Sequence, residues 1–176
     1  MSAEIGTPLP GLTPEELERF EAGRTHFTRR FTPDEGLGPR FNEDACNACH
    51  TMPADGGTGE TSVTKATRTL PDGRCDPLVP HGGENVRISV TPALAAAGGG
   101  RVPVPENATN TALFTIPFVF GLGIVDAIPQ EALDDLADPD DADRDGISGR
   151  LGRNVNGEPA RFGRKADQAT LLDFVE

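Results

Sequence analysis

The pentapeptide CNACH at residues 46–50 decides most of what this chain can be. Two cysteines three positions apart, followed directly by a histidine, can belong to a zinc site, a redox-active dithiol or the attachment point of a covalent haem. The three chemistries need different surroundings, so the neighbouring sequence discriminates between them.

Zinc and dithiol chemistry both lack the surroundings that they need. Structural zinc takes four ligands, usually including a second pair of Cys or His residues. The remaining candidates, Cys75, His81 and His26, do not form such a pair. A thioredoxin-like dithiol lies at a helix start after a buried strand, whereas GLGPRFNEDA at 36–45 is typical of a loop.

Covalent haem attachment needs what CNACH provides. Two thiols at this spacing can react with the two vinyl groups of haem, and the adjacent imidazole can ligate the iron. We therefore predict one haem c, with Cys46 and Cys49 forming the thioethers and His50 ligating iron. Cys75 is left over, and we expect it to be a small, semi-buried residue.

The second axial position of the iron is open to several interpretations. Met52 lies two residues beyond His50, too close to reach the opposite face of the ring, and no methionine follows it. His81, His26 or water remain, and His81 is our candidate, although an exposed loop histidine is its alternative interpretation. An open position would allow peroxide or small-ligand chemistry, whereas a second histidine would favour electron transfer.

Composition and charge exclude some classes of function. The chain has 176 residues, 36% of them apolar, with 21 glycines, 16 prolines and no Trp or Tyr, which predicts many turns and a thin core. A net charge of −12 argues against nucleic acid and fits a basic protein partner. The start of the chain shows no secretion signal, and the apolar window 112–125 is too short to span a bilayer. We expect that window to be buried core and expect no membrane insertion.

The pattern along the chain predicts few regular elements. Thr13, Pro14 and Glu16 form a capping-box signature that opens a helix. We expect a short helical turn at CNACH, a long loop to residue 84 and a short strand at 85–90. A second capped helix is predicted at 129–137 and the start of a third at 169–176.

An acidic loop, DPDDADRDGISGR at 138–150, resembles the first half of an EF-hand loop. Asp141, Asp143 and Asp145 alternate before Gly146, which places hard oxygen donors where Ca²⁺ prefers them. The Glu expected at the twelfth position is absent, so Asp138, Asp140, Ser148 or water would complete a partial calcium site. A solvated acidic turn is the alternative.

Four stretches together resemble the di-haem oxidoreductase family, also called thiol-oxidoreductase-like, which is related to bacterial di-haem cytochrome c peroxidases. They are residues 36–59, 118–133, 138–150 and 160–174. The resemblance implies a mainly α, loop-rich, cytochrome c-type haem domain with a few short strands, in a periplasmic or otherwise exported protein. It also implies thioethers at Cys46 and Cys49 and the proximal ligand at His50.

The family's second CxxCH motif belongs to a later part of the chain, and none occurs here. We therefore expect residues 1–176 to form a single haem domain, the N-terminal half of a two-haem protein. The expected function is electron transfer or reduction of peroxide-type small oxidants, with a redox partner protein or a second haem domain. A non-catalytic electron-relay module and an inactive truncated relative are the alternatives.

Overall fold

The computed structural model describes residues 4–81 and 83–175. The chain forms two compact units, Met1–Val119 and Phe120–Glu176. About 26% of the residues are helical and 18% lie in strands, so the prediction of a mainly α fold is wrong. Frequent Gly and Pro residues interrupt the backbone, and helices longer than a turn or two form only where those residues are sparse.

Among the described residues of the first unit, one helix is long. Thr13 caps it as predicted: its hydroxyl accepts from the Glu16 N–H at 3.2 Å, and its own N–H donates to the Glu16 carboxylate at 2.7 Å. Helix α1 spans Pro14–Thr28 and packs against the turn that carries CNACH. The other elements of this unit are short: β1 Arg40–Phe41, β2 Ser62–Thr69, β3 Cys75–Asp76, β4 Ser89–Val90, α2 Pro92–Ala96 and β5 Asn110–Thr115.

A three-stranded antiparallel sheet in the order β3-β2-β5 organises the first unit, and β1 pairs with β4 separately. Strand β2 lies inside the segment predicted to be a long loop. Its β-branched residues, among them Val63, Thr64 and Thr67, carry a strand signal that the loop prediction overlooked. The strand predicted at 85–90 is reduced to β4.

Little of the first unit is buried, as its composition predicts. The fully or nearly buried apolar side chains are Ala45, Ala66, Leu78, Val86 and Ile116. The apolar window 112–125 is not the core that we expected: Leu113 is 73% exposed and Phe118 58% exposed. Among the helices of the described residues, none has the length and apolar character needed to cross a membrane.

The second unit is built from single turns and one two-stranded ladder. Its elements are α3 Leu122–Asp126, α4 Gln130–Asp134, β6 Gly152–Arg153, β7 Pro159–Ala160 and α5 Leu171–Val175. The Arg161 guanidinium donates to the carbonyls of Val125 and Ile128 at 3.1 and 2.7 Å and so holds the end of α3. Helices α4 and α5 confirm the two predicted helices, although α4 has no side-chain cap and Glu176 lies outside the described residues.

Candidate haem-attachment site

The CNACH motif forms a compact turn that packs against α1, near the C-terminal end of that helix. Residues Cys46–Ala48 make one turn of 3₁₀ helix, which starts from the buried Ala45. Cys46 is exposed and Cys49 is half-buried. The Phe27 ring of α1 lies 6.2 Å from the His50 imidazole, measured between ring centroids. Helix α1 therefore provides one wall behind the histidine.

The His50 imidazole is held by two backbone carbonyls. Its Nδ1 lies 3.0 Å from the Gly57 oxygen and 2.9 Å from the Pro117 oxygen. A carbonyl oxygen can only accept, so the hydrogen bonds require a proton on Nδ1. Neutral imidazole then leaves the Nε2 lone pair available, which is the arrangement that a metal-ligating histidine normally has.

The segment 51–59 folds tightly under the motif and supplies one of these carbonyls. Thr58 and Met52 exchange backbone hydrogen bonds of 2.8 Å in both directions. A Cβ on Gly59 would lie 1.9 Å from the Cys49 carbonyl oxygen, and one on Gly57 would lie 1.8 Å from that of Met52. These close approaches are possible only because glycine lacks a side chain.

The second carbonyl comes from the segment after β5. The Thr58 hydroxyl donates to the Ile116 carbonyl, and the Val119 N–H donates to Gly56 at 2.8 Å. These contacts fix residues 116–119 against the segment 51–59, and Pro117 is thereby aligned with the imidazole. The orientation of His50 thus depends on residues 67 positions away in sequence.

A solvent-accessible cavity of about 410 Å³ adjoins the motif. It falls within the range of about 300–1,000 Å³ that small-molecule and cofactor sites occupy. Both cysteines and His50 line it. The apolar part of its wall consists of Phe31, Leu37, Ala45, Val63 and Ile116, and the polar part consists of Asn42, Glu43 and Asp44. The predicted thioether and iron-ligand residues therefore share one largely apolar cavity.

The described residues gather no zinc ligand set around CNACH. Among them, the only group of three Cys, His, Asp or Glu ligand atoms within 4.8 Å of one another lies elsewhere in the chain. Burial, and then the nearby Glu43 and Cys46, raise the pKa of the Cys49 thiol. The environment of Cys49 therefore disfavours its thiolate.

The candidates for the second axial position do not reach this cavity. None of its lining residues within the described chain is a methionine or a second histidine. His81 is exposed beside Asp76, which pairs with Arg68 in β2. Arg68 follows the cavity-lining Val63 by five strand residues, or roughly 16 Å. His26 is exposed on α1, and Met52 is 39% exposed.

Cys75 differs from its expectation. It lies in β3 and is exposed rather than semi-buried.

The acidic loop of the second unit gathers a different set of carboxylates from the one predicted. Asp138, Asp141 and Asp143 bring their oxygens within 4.8 Å of one another, and Asp145 is outside this group. The Asp145 carboxylate instead accepts from the Ile147 N–H at 2.7 Å. Sequence reasoning had named Asp138 only as a residue that could complete the site.

Local hydrogen bonds shape this loop. The Asp141 carboxylate accepts from the Gly146 N–H at 3.1 Å, and that of Asp138 accepts from Ala142 at 2.9 Å. A bridge between Asp138 and Gly149 closes its base. Arg150 binds the Pro139 carbonyl, and none of the ion pairs among the described residues involves the loop aspartates.

No family model, curated protein or solved structure matches this chain. The resemblance to di-haem oxidoreductases therefore stays a prediction. Three contributors to the site were missed from the sequence: the Gly57 and Pro117 carbonyls and the Glu43 carboxylate. Backbone carbonyls have no residue-type signal. The adjacent glycines 56 and 57 are the one sequence feature that could have pointed to a close backbone approach here.

Proposed function

We propose that this chain binds one haem c, with thioether bonds to Cys46 and Cys49 and with His50 as an iron ligand. The observation that carries the proposal is the pair of hydrogen bonds from His50 Nδ1 to the Gly57 and Pro117 carbonyls. They fix the tautomer and orientation of the ring and leave Nε2 to act as a ligand.

The surroundings of the motif support the same proposal. A haem presents a large apolar face, and the cavity beside both thiols has an apolar wall that the protein itself does not fill. The thin core of the first unit would gain apolar contacts on binding. Bound haem supplies one-electron redox chemistry of iron, while the chain holds the group, orients it through His50 and limits the access of water.

The proposed activity is electron transfer or the reduction of a small oxidant of the peroxide type. The absence of a second histidine or a methionine among the described residues of the cavity wall favours an accessible iron position and hence the oxidoreductase interpretation. A non-catalytic relay module is the alternative, and an inactive relative of a two-haem protein is another.

The ferric spectrum of the haem-loaded chain tests this proposal. An accessible position predicts a high-spin or water-ligated spectrum that shifts when an external ligand is added. A low-spin spectrum with two nitrogen ligands, unchanged by external ligands, would favour the relay. Failure of the chain to acquire haem in a host that attaches haem c would refute the haem proposal itself.

Location and partners follow from the same chemistry. Haem c is attached in exported proteins, so we place the chain in the periplasm or another exported compartment. Electrons would come from a redox partner protein or a second haem domain. With 28 acidic residues against 16 basic ones, the chain would attract a partner with a basic contact surface.

For the acidic loop we propose a structural Ca²⁺ site. The three gathered groups, Asp138, Asp141 and Asp143, offer only hard oxygen donors, and their negative charges lack ion-pair partners within the described residues. A cation there would stabilise the loop of the second unit and would take no part in electron transfer.

A further inference from the structure

Glu43 places an uncompensated negative charge on the wall of the cavity beside CNACH. The adjacent Asp44 also lines the cavity, but Arg30 pairs with it at 2.5 Å. Arg29, which precedes Arg30, pairs with Glu35 at 3.3 Å, and the Arg40 guanidinium donates to the Gly100 carbonyl at 3.0 Å. Among the described residues no ion pair includes Glu43, so its charge is not cancelled by a bound neighbour.

The charge of Glu43 lies beside the motif, because Glu43 lines the same cavity as Cys49 and His50. A carboxylate on that wall repels any anion that enters the cavity. Glu43 is exposed, so solvent and salt screen part of this repulsion.

We propose that Glu43 makes this cavity selective for neutral small molecules over anions. The inference rests on the proposed function for its substrate class: an uncharged oxidant such as hydrogen peroxide would enter, whereas nitrite and similar anions would be disfavoured. Glu43 acts here as a specificity-determining residue, and haem attachment does not require it. One negative charge on the wall of a small cavity should lower the affinity for an anion, compared with that for a neutral molecule, about three- to tenfold, and less at high salt.

Two external iron ligands test the selectivity on the haem-loaded full chain. Azide is an anion, and imidazole is mostly neutral at about pH 8, above its pKa. Optical titrations of the ferric protein give both dissociation constants, and their ratio cancels any change that affects the two ligands equally. We expect Glu43→Gln to increase the affinity for azide, relative to that for imidazole, about three- to tenfold. Glu43→Lys should increase this relative affinity for azide further.

Glu106→Gln is the matched control. Glu106 is exposed in the same unit and does not line the cavity, so its neutralisation removes the same net charge elsewhere. It should leave the ratio within about twofold, since distant surface charges are screened. An unchanged ratio in Glu43→Gln, or an equal change in Glu106→Gln, would overturn the inference while the observed haem supports the proposed function.

A second measurement needs no haem, so it tests the charge selectivity of the cavity separately from the proposed haem binding. Iodoacetate and iodoacetamide both alkylate a thiolate, forming a carbon–sulfur bond as iodide leaves, but only iodoacetate is an anion. Their rate ratio at Cys49, followed by peptide mass spectrometry, should rise about threefold or more in Glu43→Gln. Because both reagents need the thiolate, a shift in thiol pKa cancels in the ratio.

Cys75 serves as the internal reference, since it is exposed in β3 and does not line the cavity. Its ratio should not change. A raised ratio at Cys49 in a chain that never acquires haem would support the charge selectivity and refute the proposed function. Equal ratios for Cys49 in the haem-free parent chain and in haem-free Glu43→Gln would refute the selectivity, whatever the result of haem attachment in an exporting host.

Discussion

The CNACH turn and the acidic loop are the two clusters of chemically suggestive residues, and they are organised in different ways. His50 is fixed by carbonyls 7 and 67 positions away in sequence, and it borders a cavity. In the acidic loop, the hydrogen bonds that the carboxylates of Asp138, Asp141 and Asp143 accept within the described residues come from residues no more than five positions away. Distant parts of the first unit are thus arranged around CNACH, whereas the acidic loop is shaped by its own short sequence.

This difference bears on the kind of group that each region suits. The orientation of His50 depends on segments that are distant in sequence and is kept only while those segments are packed. It is therefore coupled to the folding of the whole first unit. A loop shaped by neighbouring residues can gather carboxylates independently, at the cost of mutual repulsion that a cation relieves. We therefore expect substitutions at CNACH to affect the first unit widely and substitutions in the acidic loop to act locally.

The largest effect is expected from removal of both motif thiols. Cys46→Ser combined with Cys49→Ser should abolish covalent haem attachment, because the hydroxyl does not replace the thiol in the reaction with a vinyl group. Haem staining of a denaturing gel measures this loss. Cys75→Ser is the matched control and should stain like the parent chain. Equal staining of the double variant, or loss of stain in Cys75→Ser, would contradict the assignment.

A methyl group at Gly59 should be nearly as damaging. The new Cβ would lie 1.9 Å from the Cys49 carbonyl oxygen, so the backbone of the motif must move. We expect Gly59→Ala to lower the free energy of unfolding by about 1–3 kcal/mol, the usual range for overpacking, and to reduce haem attachment.

Gly100→Ala provides the comparison for that change. A Cβ at Gly100 meets nothing within 4 Å, and its φ is not in the left-handed region. Its unfolding curve in urea should be nearly unchanged. If both alanine variants unfold at the same urea concentration as the parent, the tight packing of residues 51–59 under CNACH is not important for stability.

Calcium should have a smaller and more local effect. At a Ca²⁺ concentration about 100 times the dissociation constant, binding to the acidic loop would stabilise the second unit by about 2.7 kcal/mol. Asp141→Asn should remove most of the rise in melting temperature that Ca²⁺ produces, because Asp141 belongs to the gathered group.

Asp140→Asn is the control, since it removes one charge from the same loop outside that group. Differential scanning calorimetry with Ca²⁺ and with a chelator measures both variants. A melting temperature that is indifferent to Ca²⁺ and chelator would leave this region as a solvated acidic turn.

The smallest effect concerns the start of α1. The Thr13 backbone N–H donates to the Glu16 carboxylate and, with the Thr13 side chain, lowers the pKa of Glu16 below its ordinary value of 4.5. Since the folded-state pKa is the lower one, the cap contributes stability above about pH 4.5, and this is lost as pH falls through the folded-state pKa.

Helicity of α1, followed by far-ultraviolet circular dichroism, should therefore decrease slightly on acidification. Glu16→Ala should remove this pH-dependent decrease. Glu18→Ala, which changes an exposed glutamate of the same helix outside the capping box, should retain it. An identical pH profile for the two variants would show that the cap does not stabilise the helix measurably.

Local signals in the sequence predicted the elements that depend on neighbouring residues. The capping box at Thr13 and Glu16, the turn at CNACH and the helix α5 are formed where such signals lie. Strand β2 pairs with the nearby β3 only at Arg68 and Thr69, and its remaining residues pair with β5, more than 40 residues further along the chain. Pairing over that separation is a tertiary effect, and the β-branched residues of β2 alone do not specify it.

The candidate site shows the same division. The residue types Cys46, Cys49 and His50 predict haem attachment, and the sequence does not show that the Pro117 carbonyl lies beside His50. That carbonyl reaches His50 only because the chain returns after β5. In the acidic loop, two of the three predicted aspartates, Asp141 and Asp143, lie in the gathered group, and Asp138 takes the place of Asp145. An alternating pattern gives the spacing of residues, whereas the left-handed backbone at Asp141 and Arg144 redirects the side chains.

Intact mass spectrometry of the denatured full chain, produced in an exporting host that attaches haem c, tests the central claim most directly. Covalent attachment at Cys46 and Cys49 predicts a mass increased by one haem, with a single free thiol, Cys75, left to react with an alkylating reagent. An unmodified mass with three reactive thiols would contradict the haem assignment and with it the proposed function.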